Sequence, residues 1–100
     1  MTPGGNGANL ASIHVFVRGY VQGINFRQFV YTRARFLKLT GYVSNLEDGN
    51  TVEVVAEGSR ADLDQLLEYL HEGPRSARID EVEVEWGDAS NRWTDFGVVS

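Results

Sequence analysis

Residues 40–57 read TGYVSNLEDGNTVEVVAE, and this stretch decides the fold. Its two arms, TGYVSNL (40–46) and TVEVVAE (51–57), are rich in residues that favour strands. Between them, Glu47-Asp48-Gly49-Asn50 offers an Asp-Gly pair, which supplies the positive φ of a tight hairpin. Helical patterns flank the hairpin on both sides. Upstream, apolar residues fall at 26, 29, 30, 34 and 37, the stripe of an amphipathic helix. Asn25 is the expected N-cap there, with Gln28 completing a capping-box exchange. Arg33 falls inside the apolar arc, where snorkelling is its only account. Downstream, Ser59 caps a second helix with Asp62 at the third position. Leu63, Leu66, Leu67 and Leu70 form its stripe, and Gly73-Pro74 ends it.

Strands lie outside the helices. LASIHVFVR (10–18) alternates, with Ile13, Val15 and Val17 on one face. IDEVEVEW (79–86) alternates too, with Val82, Val84 and Trp86 inward and Glu81, Glu83 and Glu85 outward. A short last strand is expected around residues 95–99. The order β-α-β-β-α-β with a trailing strand predicts an α+β, ferredoxin-like split βαβ fold. Such a fold is an antiparallel sheet with two helices on one face. The acidic phase of residues 79–86 fits the uncovered face.

One hundred residues make one domain, here 10–100, behind an expected flexible tail at 1–9 (MTPGGNGAN). No cysteine is present, which removes disulfides, thiol nucleophiles and Cys-based metal sites. No apolar run approaches the roughly 20 residues that span a bilayer, and residues 1–9 lack the basic-then-apolar pattern of a secretion signal, so a cytoplasmic protein is expected. A monomer is expected as well. Residues 1–50 carry five basic and two acidic side chains, a balance of +3. Residues 51–100 carry four and twelve, a balance of −8, for the net −5 of the chain. That acidic total argues against nucleic acid and anionic membrane as partners. Before Glu47, however, there is no Asp or Glu at all, and a small anion could bind locally in this half.

The segment best suited to an anion is Arg18-Gly-Tyr-Val-Gln-Gly-Ile-Asn-Phe-Arg27. Glycines at 19 and 23 let backbone amides turn inward together, and the following helix start adds unpaired N–H groups and positive potential. Arg27 in the first helical turn opposes the dipole, a conflict that an anion between them removes. The alternative is a solvated helix-surface arginine beside an ordinary loop. Asn45, near the end of the second strand, could hold a water and a substrate oxygen through its amide. Equally, it could merely open the Asp48-Gly49 turn.

Val21-Gln-Gly-Ile-Asn-Phe-Arg27, Gly41-Tyr-Val-Ser-Asn45 and Asp48-Gly49 together resemble the signatures of the acylphosphatase family. The similarity runs from about Ile13 to Trp86. It implies a metal-free, cofactor-free hydrolase that splits a small-molecule acyl phosphate into carboxylate and inorganic phosphate. By the same resemblance, Arg27 binds the phosphoryl group and Asn45 positions the attacking water. The backbone of Gly19, Tyr20, Val21, Gln22, Gly23, Ile24, Asn25 and Phe26, leading into Arg27, forms the phosphate cradle. Departures are Ile24, Tyr42, Lys38 and Asn25, and none touches Arg27 or Asn45.

The residue types agree with that chemistry. A carboxylate leaving group, whose conjugate acid has a pKa of about 4, departs at neutral pH without a proton donor. An alkoxide leaving group would need an acid or a metal, and the sequence offers no convincing acid. His14 on a strand and His71 at a helix end read as structural or solvated, and no three metal ligands converge. Two alternatives remain. One is a non-catalytic module that binds an anion or carbamoyl phosphate on the same fold. The other is an RNA-binding sheet, which the glutamates at 81, 83 and 85 oppose.

Overall fold

The computed structural model describes residues 9–99, so the expected tail lies outside the described residues except for Asn9. Strand β1 (Leu10–Tyr20) leads through a short loop into helix α1 (Phe26–Phe36). The hairpin β2 (Thr40–Asn45) and β3 (Thr51–Ser59) follows, then α2 (Arg60–Glu72), β4 (Arg78–Gly87) and β5 (Phe96–Val99). The sheet order is β4-β1-β3-β2-β5. β1, β2, β3 and β4 pair antiparallel, as the pattern predicts. β5 departs from that expectation: it lies parallel to β2, with Gly41 opposite Phe96. Nothing in four residues of sequence encodes direction; the crossover from β4 does.

One face of the sheet packs on the helices. Val15 of β1 stands opposite Val54 of β3 and Val84 of β4, and Val43 of β2 stands on the other side of Val54. Phe26, Val30 and Ala34 of α1 and Leu63, Leu66 and Leu70 of α2 close over them, all buried. Each fully buried Val or Leu contributes roughly 1.5–3 kcal/mol. Ser59 caps α2 as expected, its Oγ accepting from Asp62 N at 3.2 Å. Arg33 acquires a partner that its own helix does not reveal. Its guanidinium lies 3.6 Å from the Phe29 ring centroid and 5.3 Å from that of Tyr69, on α2. Cation–π contact explains why a charge is tolerated inside the apolar arc.

The opposite face is open and polar. Arg18 bridges Glu81 at 3.4 Å and Glu83 at 2.9 Å, and His14 meets Glu53 at 2.6 Å. Glu57 is buried on this face, which its place in an alternating strand did not announce. Its carboxylate accepts from Ser90 N (2.9 Å), Ser90 Oγ (2.7 Å) and Asn91 N (3.0 Å). Burial pushes its pKa up, but these bonds and the nearby Arg92 charge outweigh burial and hold it below the usual value. Glu57 thereby anchors the segment that carries Trp93, whose ring meets Tyr42 edge-on at 5.4 Å, and that delivers β5 to its place.

Candidate active site

The loop between β1 and α1 is where the backbone leaves ordinary geometry. Gly23 has φ 76° and Asn25 has φ 66°, so two left-handed residues alternate with their neighbours. Such alternation is the backbone pattern that lets successive N–H groups face one side as an anion-binding nest. Among the described residues, no N–H from Gln22 to Phe26 donates to a protein acceptor. The expected cap at Asn25 does not form. Asn25 does precede α1, but its left-handed backbone takes the side chain out of capping position, and it makes no cap hydrogen bond. Gln28 does not close a capping box either, because its amide donates to Thr32 Oγ1 at 3.4 Å. The helix start is therefore left with free donors.

A cavity of about 310 Å³ opens at this point. Val21, Gly23, Asn25, Phe26 and Arg27 line it from the loop and first helical turn, and Asn45 lines it from the end of β2. Gln28 and Val98 complete the wall. The β2–β3 register places Asn45 opposite Val52, on the helix side of the sheet that Val43 shares. Its Oδ1 is buried and has no hydrogen-bond partner. An unpaired buried acceptor of this kind costs about 1–3 kcal/mol, and a bound water would satisfy it. Arg27 is held only lightly, through one 3.3 Å bond from Nη1 to Val99 O.

Not all of the expected cradle meets the cavity. Gly19 and Tyr20 belong to β1, which runs on past a register shift at Arg18/Gly19. Gly19 N donates to Asn50 O at 3.0 Å. A Cβ on Gly19 would run into the carbonyl of Arg78, so glycine is needed there for strand packing. Tyr20 points to solvent. Ile24 packs toward the core. Gln22 faces away as well, its Nε2 donating to Leu46 O at 2.8 Å and Thr51 O at 2.9 Å. Gln28 and Val98 were not expected at the site. Gln28 arrives by following Arg27 on the same turn, and Val98 depends on how β5 docks.

A larger cavity, about 490 Å³, lies on the open face between His14, Tyr42, Glu85 and Trp93. Arg92 lines it too, but three carboxylates, Glu57, Glu85 and Asp88, share its wall and disfavour an anion there. Among the described residues, the smaller cavity has no carboxylate in its lining, and Arg27, Asn45 and residues of the loop with unpaired N–H groups meet there. It is the better place for chemistry on an anion. Among the described residues, no three His, Asp or Glu side chains gather to hold a metal.

Known proteins resemble both sequence and architecture. An acylphosphatase of Salinibacter ruber is 46% identical over 82 residues, covering 82% of this chain and 85% of that protein. The structure of an acylphosphatase from Coxiella burnetii superimposes with a TM-score of 0.85 at 40% identity, covering 99% of this chain and 100% of the other. The acylphosphatase of Bacillus subtilis also gives 0.85, at 31% identity over 90% of this chain and 99% of its own. The Acylphosphatase family model matches residues 13–98, from within β1 to within β5, and the chain belongs to the acylphosphatase family.

Proposed function

We propose that this chain hydrolyses the carboxyl–phosphate bond of small-molecule acyl phosphates at the 310 Å³ cavity. One observation carries the reading: the buried, unpartnered Oδ1 of Asn45 shares that cavity with Arg27 and the loop of free N–H groups. The loop amides from Gln22 to Phe26 and the Arg27 guanidinium bind the phosphoryl oxygens. Charge-assisted bonds of this type contribute roughly 1.5–3 kcal/mol each. The Asn45 amide orients a water toward phosphorus. As the bond from phosphorus to the acyl oxygen breaks, its electron pair leaves with the carboxylate. The water oxygen forms the new bond to phosphorus, and its proton passes to a phosphoryl oxygen. An acyl phosphate dianion and water thus give a carboxylate and dihydrogen phosphate.

A loose transition state makes placement and charge stabilisation sufficient for this step. No general acid is needed, because the leaving carboxylate is stable at neutral pH. The chain acts as a monomer in the cytoplasm and takes its substrate alone. The test is release of inorganic phosphate from acetyl or benzoyl phosphate by purified protein, with and without exhaustive chelation. Turnover that survives EDTA is the expected result. Phosphate binding without turnover would assign the cavity to an anion-binding module instead. Loss with EDTA that Mg²⁺ or Zn²⁺ restores would remove the metal-free mechanism.

A further inference from the structure

The proposed reaction needs two things from two parts of the chain: a cradle on the loop after β1 and a water-orienting amide at the end of β2. Among the described residues, no cavity-lining side chain hydrogen-bonds one part to the other. The connection is made by Gln22. Its side chain leaves the cradle loop on the side away from the cavity and reaches the mouth of the β2–β3 hairpin. There its single amide nitrogen donates both protons, one to Leu46 O at 2.8 Å and one to Thr51 O at 2.9 Å. Leu46 directly follows Asn45 in the chain, and Leu46 N itself donates to Thr51 O at 2.9 Å. The two carbonyls therefore belong to the ring that closes the hairpin beside Asn45. On the cradle side, Gln22 sits between buried Val21 and left-handed Gly23, both lining the cavity.

We infer that Gln22 is a positioning residue, whose side chain sets the distance and orientation between the phosphate cradle and the Asn45 amide. The inference rests on the proposed function. Gln22 does not line the cavity, so it acts on the substrate only through the elements it ties together. A misplacement of about 1 Å at a reacting centre can cost about 100-fold in rate. Binding of phosphate needs only the cradle and Arg27, which share one continuous segment. Loss of the tie therefore harms the chemical step more than it harms phosphate binding. A group that merely held the fold together would not separate the two.

The test uses Gln22→Ala and Gln22→Glu in the full chain, beside wild type. Gln22→Ala should lower kcat for acetyl phosphate roughly 10- to 100-fold, while the inhibition constant of inorganic phosphate changes by less than about threefold. In Gln22→Glu, the carboxylate confronts two carbonyl oxygens at pH 7, but the protonated acid can donate to one of them. Its kcat relative to Gln22→Ala should therefore rise as pH falls from 7 toward 5. Backbone ¹⁵N relaxation of residues 21–25, which needs no turnover, should show larger fast-timescale motion in Gln22→Ala than in wild type. A wild type that does not hydrolyse acyl phosphates refutes the proposed function, and the relaxation result then decides the tether by itself. Unchanged kcat and unchanged loop motion in Gln22→Ala overturn the inference. So do equal losses of kcat and phosphate affinity combined with a Gln22→Glu to Gln22→Ala ratio that ignores pH.

Discussion

Replacing Asn45 with alanine should separate stability from activity, because its buried oxygen bonds no other described residue while the proposed reaction depends on it. The amide Oδ1 is buried and accepts no hydrogen bond from another described residue. The alanine therefore deletes no hydrogen bond between that oxygen and the rest of the fold, which would otherwise cost about 1 kcal/mol. Some packing of the side chain is lost. Thermal or denaturant unfolding should accordingly show Asn45→Ala within about 1 kcal/mol of wild type. Activity should fall steeply. A positioned polar group aimed at the reacting centre contributes about 2.7–4 kcal/mol to the barrier, or 10²–10³ in kcat. Phosphate affinity, measured by competitive inhibition, should change little, since the proposed site holds the anion through Arg27 and the loop amides. The assay is steady-state hydrolysis of acetyl or benzoyl phosphate on both proteins, with unfolding curves alongside. Near-equal kcat would reduce Asn45 to a turn residue. A large loss of stability would show that its oxygen has a structural partner after all.

Three further outcomes follow from named contacts. Arg27→Gln should abolish turnover and weaken phosphate binding by more than about tenfold, because the only cationic side chain lining the cavity among the described residues is lost; wild-type affinity for phosphate would move the site elsewhere. Gly19→Ala should destabilise the fold by roughly 2–4 kcal/mol, since its φ of 144° and the Arg78 carbonyl both exclude a side chain. Any protein that still folds should bind phosphate normally, which ligand titration on the folded fraction would check. Glu57 has a lower pKa folded than unfolded, so its contribution to stability is complete above the unfolded value of about 4.3 and disappears as pH falls through the folded one. Unfolding curves from pH 7 to pH 3 should therefore steepen less in Glu57→Gln than in wild type, and identical pH profiles would deny the carboxylate its role.

Much of this architecture is legible in the sequence because short-range rules govern it. The leucine spacing of α2, the Ser59 cap and the β2–β3 turn each depend on residues within a few positions of one another. What escapes is decided at long range. β1 outlasts its own alternation by two residues, because the shift at Arg18/Gly19 lets Gly19 and Tyr20 keep pairing with Ile79 and Arg78. Arg33 finds its second ring on the other helix, and Glu57 finds its donors 33 and 34 residues away. At the site, the Arg27 and Asn45 positions can be picked out by motif. The conformation that makes the loop a nest cannot, since an Asn before a helix suggests a cap as readily as a left-handed residue.

The parallel attachment of β5 has a consequence for how the molecule opens. Without β5, β2 would be the border strand of the sheet, and Asn45 would ride on the element that frays first. With β5 in place, β2 is flanked on both sides, and so is β1, from which the cradle springs. Local opening in proteins starts where few neighbours hold the backbone, which here means β4 on one border and the four residues of β5 on the other. Amide protons of β1, β2 and β3 should then be the slowest to exchange with solvent. Partial excursions of the native protein would shed the borders while the frame around the proposed site stays closed.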